Sequence, residues 1–214
     1  MKKLREIISG GFVGRIGPFS ISEAFTIIAH RPSSEICRDF ELQEEAKAIL
    51  SKEPVSERFV ERLIRSKLYA DATRFLAYGL PKRQAAWWSC LCVRIVPACF
   101  SEPISAEALA AAETWIKDPS EVNREAALAA GRKHNFEMPG APAAWTAMAA
   151  GWSVGAVATT DEDVPAPPEH LTAHAASGAI ILAATAEPDQ TKVMYRKFLD
   201  TGVQIAQGKM EISA

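Results

Sequence analysis

Between Pro81 and Pro97 the chain reads KRQAAWWSCLCVRIV, and wound as a helix this run is apolar around most of its circumference. Ala85, Trp88, Cys92, Ile95 and Cys99 make one stripe. Trp87, Leu91 and Arg94 make a neighbouring one, and Ala86, Cys90 and Val93 fill much of the remainder. A surface helix needs one apolar face, whereas a helix apolar on several sides needs neighbours on several sides. The run therefore calls for a bundle of which it is the central buried member, with Trp88, Cys92 and Ile95 in the core. Adjacent residues stand about 100° apart on a helix, so the two tryptophans face different neighbours. Trp88 is assigned to the core, and Trp87 to an edge or a surface groove.

The remaining sequence supplies helical neighbours. Residues 35–50 are expected as one helix carrying Phe40, Leu42, Ala46, Ile49 and Leu50. Ser56 is expected to cap a helix bearing Phe59, Val60, Leu63 and Ile64 at helical spacing. Residues 69–78 form another, with Gly79 as its stop and Pro81 as the start of the next. Ser105 is expected to cap a helix ending at Lys117. In DPSE at 118–121, Asp118 is expected to cap, Pro119 to occupy the first helical position and Glu121 to close a variant capping box, with the helix running to Ala130. Residues 143–152 make a short alanine-rich helix. Helices over 168–186 and 189–206 flank Glu187-Pro188 as an antiparallel hairpin. The total is about seven to nine helices without sustained strand alternation: an all-α, irregular multi-helix bundle, with solenoid-like stacking of helix pairs as the alternative.

Residues 1–34 are poorly patterned. GGFVGRIGPFS at 10–20 holds four glycines and a proline in eleven residues, a turn-rich stretch with one short strand expected near 12–16. ISEAFTIIA, at 21–29, reads as a short helix. The expected organisation is a glycine-rich segment, 1–34, followed by a single helical domain, 35–214. A sub-boundary would fall near 100–104 or within 155–167, where the second half of an acidic, proline-bearing connection (153–168) is expected to be exposed and mobile.

At 48% hydrophobic and 23% charged, the chain has ample material for a core. A net charge of -2 implies no general affinity for nucleic acid. The charge is uneven: residues 1–100 carry 16 Lys and Arg against 11 Asp and Glu, a net of +5, and residues 101–214 carry 8 against 15, a net of -7. The longest uncharged apolar stretch, 173–186, has about fourteen residues, short of the roughly eighteen that span a bilayer. Arg5 and Glu6 interrupt any secretory core at the start, so a cytoplasmic location is expected.

Few residues suggest chemistry. Cys90 and Cys92 lie two apart, which on a helix turns them about 200° from each other, so they cannot converge on one ion. The cysteines are read as small hydrophobes and no cofactor is expected. GGFVGRIG lacks the GK[ST] and the βαβ setting of a phosphate loop. His170 and His174 in EHLTAH are spaced i, i+4 and would bind a metal only if another element supplied a third ligand. The glutamate of a zinc helix would follow the first histidine, and Leu171 stands there. A solvated first turn is the competing reading. Lys82 and Arg83 occupy a first helical turn, where the dipole disfavours cations. Either an acidic neighbour offsets them or, with Trp87, they form a partner-binding edge.

The run YADATRFLAYGLPKRQAAWWSCLCVR (69–94), together with the later DPSEVNREAALAA, resembles a family of uncharacterised bacterial proteins. That family occurs in Gram-negative bacteria, and some members are associated with protein secretion gene clusters. The resemblance rests on the helix beginning LPKR, the paired tryptophans with a cysteine two residues after the second, and the DPSE helix start. It covers about a third of the chain. It implies an accessory cytoplasmic protein rather than an enzyme, and assigns no residue an activity. The function expected from the sequence is that of a non-enzymatic protein-binding adaptor, chaperone-like or assembly factor, whose partner is another protein. The alternatives are a small enzyme or ligand-binding protein with a pocket between helices, and a metal-dependent protein using His170 and His174.

Overall fold

The structure, a computed structural model, describes residues 21, 24–28, 31–153 and 168–212. The strand expected near 12–16 and most of the 153–168 connection lie outside the described residues. Within them the chain forms ten α-helices and no strand. They are α1 (Ser33–Ile36), α2 (Glu44–Leu50), α3 (Ser56–Arg65), α4 (Tyr69–Gly79) and α5 (Lys82–Arg94). They continue as α6 (Pro103–Lys117), α7 (Glu121–Arg132), α8 (Ala141–Gly151), α9 (Leu171–Thr185) and α10 (Thr191–Ala206). The all-α class is as expected, and the helix count is slightly above seven to nine. Of the short helix expected over 21–29, residues 26–28 form only a turn, with Phe25 and Ile28 buried beside it.

The most completely enclosed helix is α8, not α5. Ten of the eleven residues of APAAWTAMAAG are buried, all but Trp145. Small side chains let α6, α7, α5 and α9 approach it closely from different sides. The alanine-rich α9 is nearly as enclosed, packing on α8, α5, α4 and α10. α5 is an inner helix that meets α9, α8, α6, α10 and α4. It keeps Gln84, Trp87, Leu91 and Arg94 only half-buried, so it lies one layer out from the centre. The prominence of its large residues in the sequence overstated its enclosure, because alanine faces bring helices closer together than tryptophan faces do. One main core cluster draws on residues from Phe25 to Ala206.

Trp88 is fully buried, and its Nε1 donates to the Phe198 carbonyl of α10 at 2.9 Å. The indole fits only because Gly202 stands one turn further along α10. A Cβ there would lie 2.5 Å from Trp88 Cζ2 and 2.7 Å from Cε2. Cys92 is buried, and Ile95, just beyond the end of α5, is half-buried against the core rather than within it. All four cysteines are free thiols. Burial pushes the Cys90 and Cys92 thiols well up from their ordinary value, as small apolar groups in a core behave.

Several expected boundaries move. Ser56 is the first residue of α3 rather than its cap, and its hydroxyl faces that of Ser33 at 3.1 Å. Ser105 lies inside α6, which begins at Pro103. Its hydroxyl meets His134 Nε2 at 3.1 Å, while the Phe136 amide donates to His134 Nδ1 at 2.8 Å. Nδ1 is therefore the acceptor and Nε2 carries the proton, so the histidine donates to the serine and does not act as its base. Before α7 the cap is Ser120, whose Oγ accepts from the Asn123 amide at 3.4 Å. Asp118 instead accepts from the Asn123 side chain at 2.8 Å.

The largest departure is at 35–50. Only Ser33–Ile36 and Glu44–Leu50 are α-helical. A 3-10 turn covers Cys37–Asp39, and residues 40–43 form no regular element, with a bend at Phe40 and extended dihedrals at Phe40 and Gln43. Phe40 has φ -150° and ψ 159°, and Gln43 has φ -63° and ψ 153°. Phe40 and Leu42, two residues apart, cannot share a helix face, but an extended chain turns both inward. Leu42 enters the core, and the Phe40 ring packs on Tyr78 at 4.8 Å between centroids.

Candidate functional site

This non-helical segment forms one wall of a cleft of about 710 Å³. Residues 39–44 line that wall, and the rest of the lining is Arg74 and Tyr78 of α4 together with His170 and His174. A second recess of about 430 Å³ adjoins it through the shared residues Asp39, Tyr78 and His170, and continues to Lys82 and Glu169. The histidine pair thus comes together with an acidic segment about 130 residues away in sequence. It sits at the start of α9, where the chain enters its first turn, and both rings are exposed.

The wall is fixed to α4. Arg31 Nη1 donates to the Tyr78 carbonyl at 3.0 Å, and the same guanidinium lies 3.4 Å from Glu35 and 3.9 Å from Asp39. Ser33 Oγ donates to the Pro54 carbonyl at 2.8 Å. Burial, then the nearby Asp39 charge, raises the Tyr78 phenol above its ordinary value, so it remains a neutral hydroxyl. Behind the wall lies Asp71, fully buried. One of its oxygens is 3.4 Å from Arg74 Nη1, and Oδ2 has no hydrogen-bond partner among the described residues. Burial raises its carboxyl above the ordinary range, against the lowering pull of Arg74 and of the Gln43 amide. Cys37 is pushed up to about 12, by burial first and then by the Asp71 charge, so it is not a ready nucleophile.

His174 also joins the cleft to a row of aromatic side chains. Its ring meets Trp145 edge-on at 6.4 Å. Trp145 in turn lies 5.1 Å from Phe136 and 6.3 Å from Trp152. Trp145 is the outward-facing residue of the otherwise enclosed α8, and Phe136, which packs on it, is itself exposed. A mixed-charge cleft running into an aromatic row can supply anchors and polar contacts together.

The sequence candidates are distributed unevenly over this surface. Lys82 lines the recess with Glu169 and His170. Arg83 is engaged internally: its Nε and Nη2 both donate to the Ile116 carbonyl, at 2.9 and 2.5 Å, and Nη2 lies 3.4 Å from the Lys117 carbonyl. The cation at the start of α5 is thus balanced by the negative end of α6, not by a carboxylate. Trp87 is half-buried against the core. His170 and His174 share a cleft wall, but among the described residues no three His, Cys, Asp or Glu side chains converge to hold a metal ion. The residues missed were 39–44, Tyr78, Trp145 and Trp152. Two signals were available: the in-out alternation of Phe40-Glu41-Leu42-Gln43, and two tryptophans seven apart on one helix face.

Among the described residues no helix is long and apolar enough to cross a membrane. Residues 59–206, more than half of the chain, match a family of unknown function, DUF6931. No curated protein and no solved structure matches the chain.

Proposed function

We propose that this chain, which belongs to the DUF6931 family of unknown function, is a non-enzymatic protein-binding adaptor or assembly accessory protein. Its recognition surface is the cleft between residues 39–44 and the start of α9, extended by the Phe136–Trp145–Trp152 row. The observation that carries this reading is the continuity of the two through His174, which lines the cleft and touches Trp145. Interfaces draw most of their affinity from a few aromatic and arginine anchors surrounded by polar contacts, and this surface has that composition. A chaperone-like role is of the same kind, and the resemblance noted above, to a Gram-negative family with some members associated with secretion gene clusters, supports reading it as a cytoplasmic accessory protein linked to protein secretion. A ligand-binding alternative is favoured by the cleft volume, which falls in the range of small-molecule sites.

The test is co-purification from the native host with tagged full-length chain, followed by titration of the recovered partner. Trp145→Ala and His174→Ala are expected to weaken binding by about thirtyfold and about fivefold, as an anchor and a rim contact do. Val122→Ala, at an exposed position on α7, is the control and leaves it unchanged. A partner held equally well by the Trp145 and His174 variants overturns the surface assigned here.

A further inference from the structure

We propose that residues 40–43 are a docking edge along which an extended, basic segment of the partner pairs as an added strand. The inference rests on the protein-binding reading and specifies the chemistry of what is bound.

Six consecutive residues, 39–44, line the same cleft. A helix would present alternate turns to a cleft, whereas an unbroken run of lining residues means that the main chain lies along its wall. The wall has extended dihedrals at both ends, strand-like at Phe40 and close to polyproline II at Gln43. Its side chains alternate, with Phe40 and Leu42 directed inward and Glu41 and Gln43 exposed. Among the described residues no hydrogen bond uses the main chain of Glu41 or Leu42, while the Gln43 carbonyl already accepts from Lys47 at 3.0 Å to open α2. In an extended chain successive amides point to opposite edges, and strand addition requires that one of the two pairs, that of Glu41 or that of Leu42, faces the cleft. Unpaired strand edges template pairing with another chain. This one is held in place beforehand by Phe40 on Tyr78, by buried Leu42 and by the Arg31 bonds, so little ordering cost remains to be met on binding.

Charge selects the occupant. Five carboxylates line the two joined recesses (Glu35, Asp39, Glu41, Glu44 and Glu169) against three cations, Arg31, Arg74 and Lys82. Three of the five carboxylates are already in ion pairs, Glu35 and Asp39 with Arg31 and Glu44 with Lys47 at 2.6 Å, so Glu41 and Glu169 are the carboxylates left to meet a cation. An incoming strand of four residues spans about 13 Å and lies about 4.8 Å from its neighbour. Its alternate side chains then project beside Glu41 and toward the carboxylates of the rim, where lysine or arginine is favoured and acidic residues are repelled.

The experiment uses the full-length chain and a short, end-capped peptide of alternating lysine and threonine, with a glutamate–threonine peptide as counterpart. The lysine peptide is expected to bind at least about tenfold more tightly than the glutamate peptide. Two further lysine peptides carry N-methyl groups at the odd or at the even positions. Strand pairing uses only one set of peptide amides, so one of these should lose about tenfold in affinity and the other keep it. On binding, hydrogen exchange should slow at the amide of Glu41 or of Leu42, whichever faces the cleft. Equal binding of both methylated peptides overturns strand addition, and equal binding of the two charge types overturns the basic partner. If the lysine peptide does not bind while the native partner is still lost on Trp145→Ala, this inference fails and the protein-binding reading stands. If the peptide pairs as described but the partner ignores Trp145 and His174, the reverse holds for the surface assigned to the partner. Dimerisation abolished by Glu41→Lys, without peptide binding, would assign the edge to a second copy of the chain.

Discussion

Replacing Gly202 by alanine should destabilise the protein by about 2 kcal/mol, although alanine is the better helix former by about 0.5–1 kcal/mol. The added Cβ would lie 2.5 Å from Trp88 Cζ2, 2.7 Å from Cε2 and 3.0 Å from Cη2. Non-bonded carbons settle at about 3.5–4.0 Å, so either the ring or the α10 backbone must retreat by about 1 Å. The ring has nowhere to go: it is fully buried, and its Nε1 is anchored to the Phe198 carbonyl at 2.9 Å. Overpacking of this kind costs about 1–3 kcal/mol, and stretching the indole hydrogen bond adds up to about 1 kcal/mol, against which the gain in helix propensity is a partial offset. Trp88→Phe is also destabilising, by about 2 kcal/mol, because it removes the outer ring and the donor. The phenyl group, however, vacates the space that the new methyl needs. The double variant should therefore be more stable than the sum of the two single losses predicts, by about 1–2 kcal/mol. Urea unfolding of the four proteins, followed by far-ultraviolet circular dichroism, measures all terms of the cycle. Additive losses, or a Gly202→Ala variant as stable as the parent, would refute the claim that the indole seats on the glycine.

Two further outcomes follow from charges that the fold places internally. Arg83→Gln should lower stability by about 1.5–2 kcal/mol, because the fork on the Ile116 carbonyl and its charge at the end of α6 are both lost, while Arg83→Lys keeps the charge and loses about half as much. Chemical denaturation checks this, and an Arg83→Gln protein of parental stability that no longer binds its partner would return the residue to the recognition surface. Asp71→Asn should become progressively more stable than the parent as pH rises. The folded carboxyl titrates above its ordinary value, so the native state holds the proton longer than the unfolded chain does. The parent loses stability as pH climbs from the ordinary carboxylate value through the raised one, and the amide does not titrate. Urea midpoints of the two proteins between about pH 4 and pH 7 read the difference, and a gap that widened toward acid would contradict the sign.

From Ser56 onward most helices were legible, because their apolar residues recur at helical spacing and Gly79, Pro81 and the DPSE start punctuate them. What the sequence misjudged there was rank. Trp88 and its neighbours drew attention to α5, while the alanines of α8, each contributing little area, permit the close approach that makes it the enclosed helix. The resolution of the Arg83 conflict was not legible either, since its partners are backbone carbonyls at the end of α6, and carbonyls carry no sequence signature. For the candidate site, the i, i+4 histidine pair was visible, but the wall at 39–44 was not. That wall depends on Arg31, Phe40 and Leu42 finding α4, and the Arg31 and Phe40 contacts with Tyr78 span 47 and 38 residues.

The failure at 40–43 carries information of its own. The stretch EICRDFELQEEAKAIL has ordinary helix formers throughout, and a continuous helix would have satisfied each of its amides locally. The chain gives up those bonds so that Phe40 and Leu42 can both face α4, and among the described residues it puts nothing in their place at Glu41 and Leu42. Amides without a partner in the chain are satisfied by water or by another chain, and a preformed strand can offer the bonds that water supplies. Local preference and tertiary structure conflict most in natural chains at functional sites. Here the conflict falls on the lining of a cleft that also includes His170 and His174, and that coincidence is the reason to look for the binding partner at this edge rather than at the paired tryptophans.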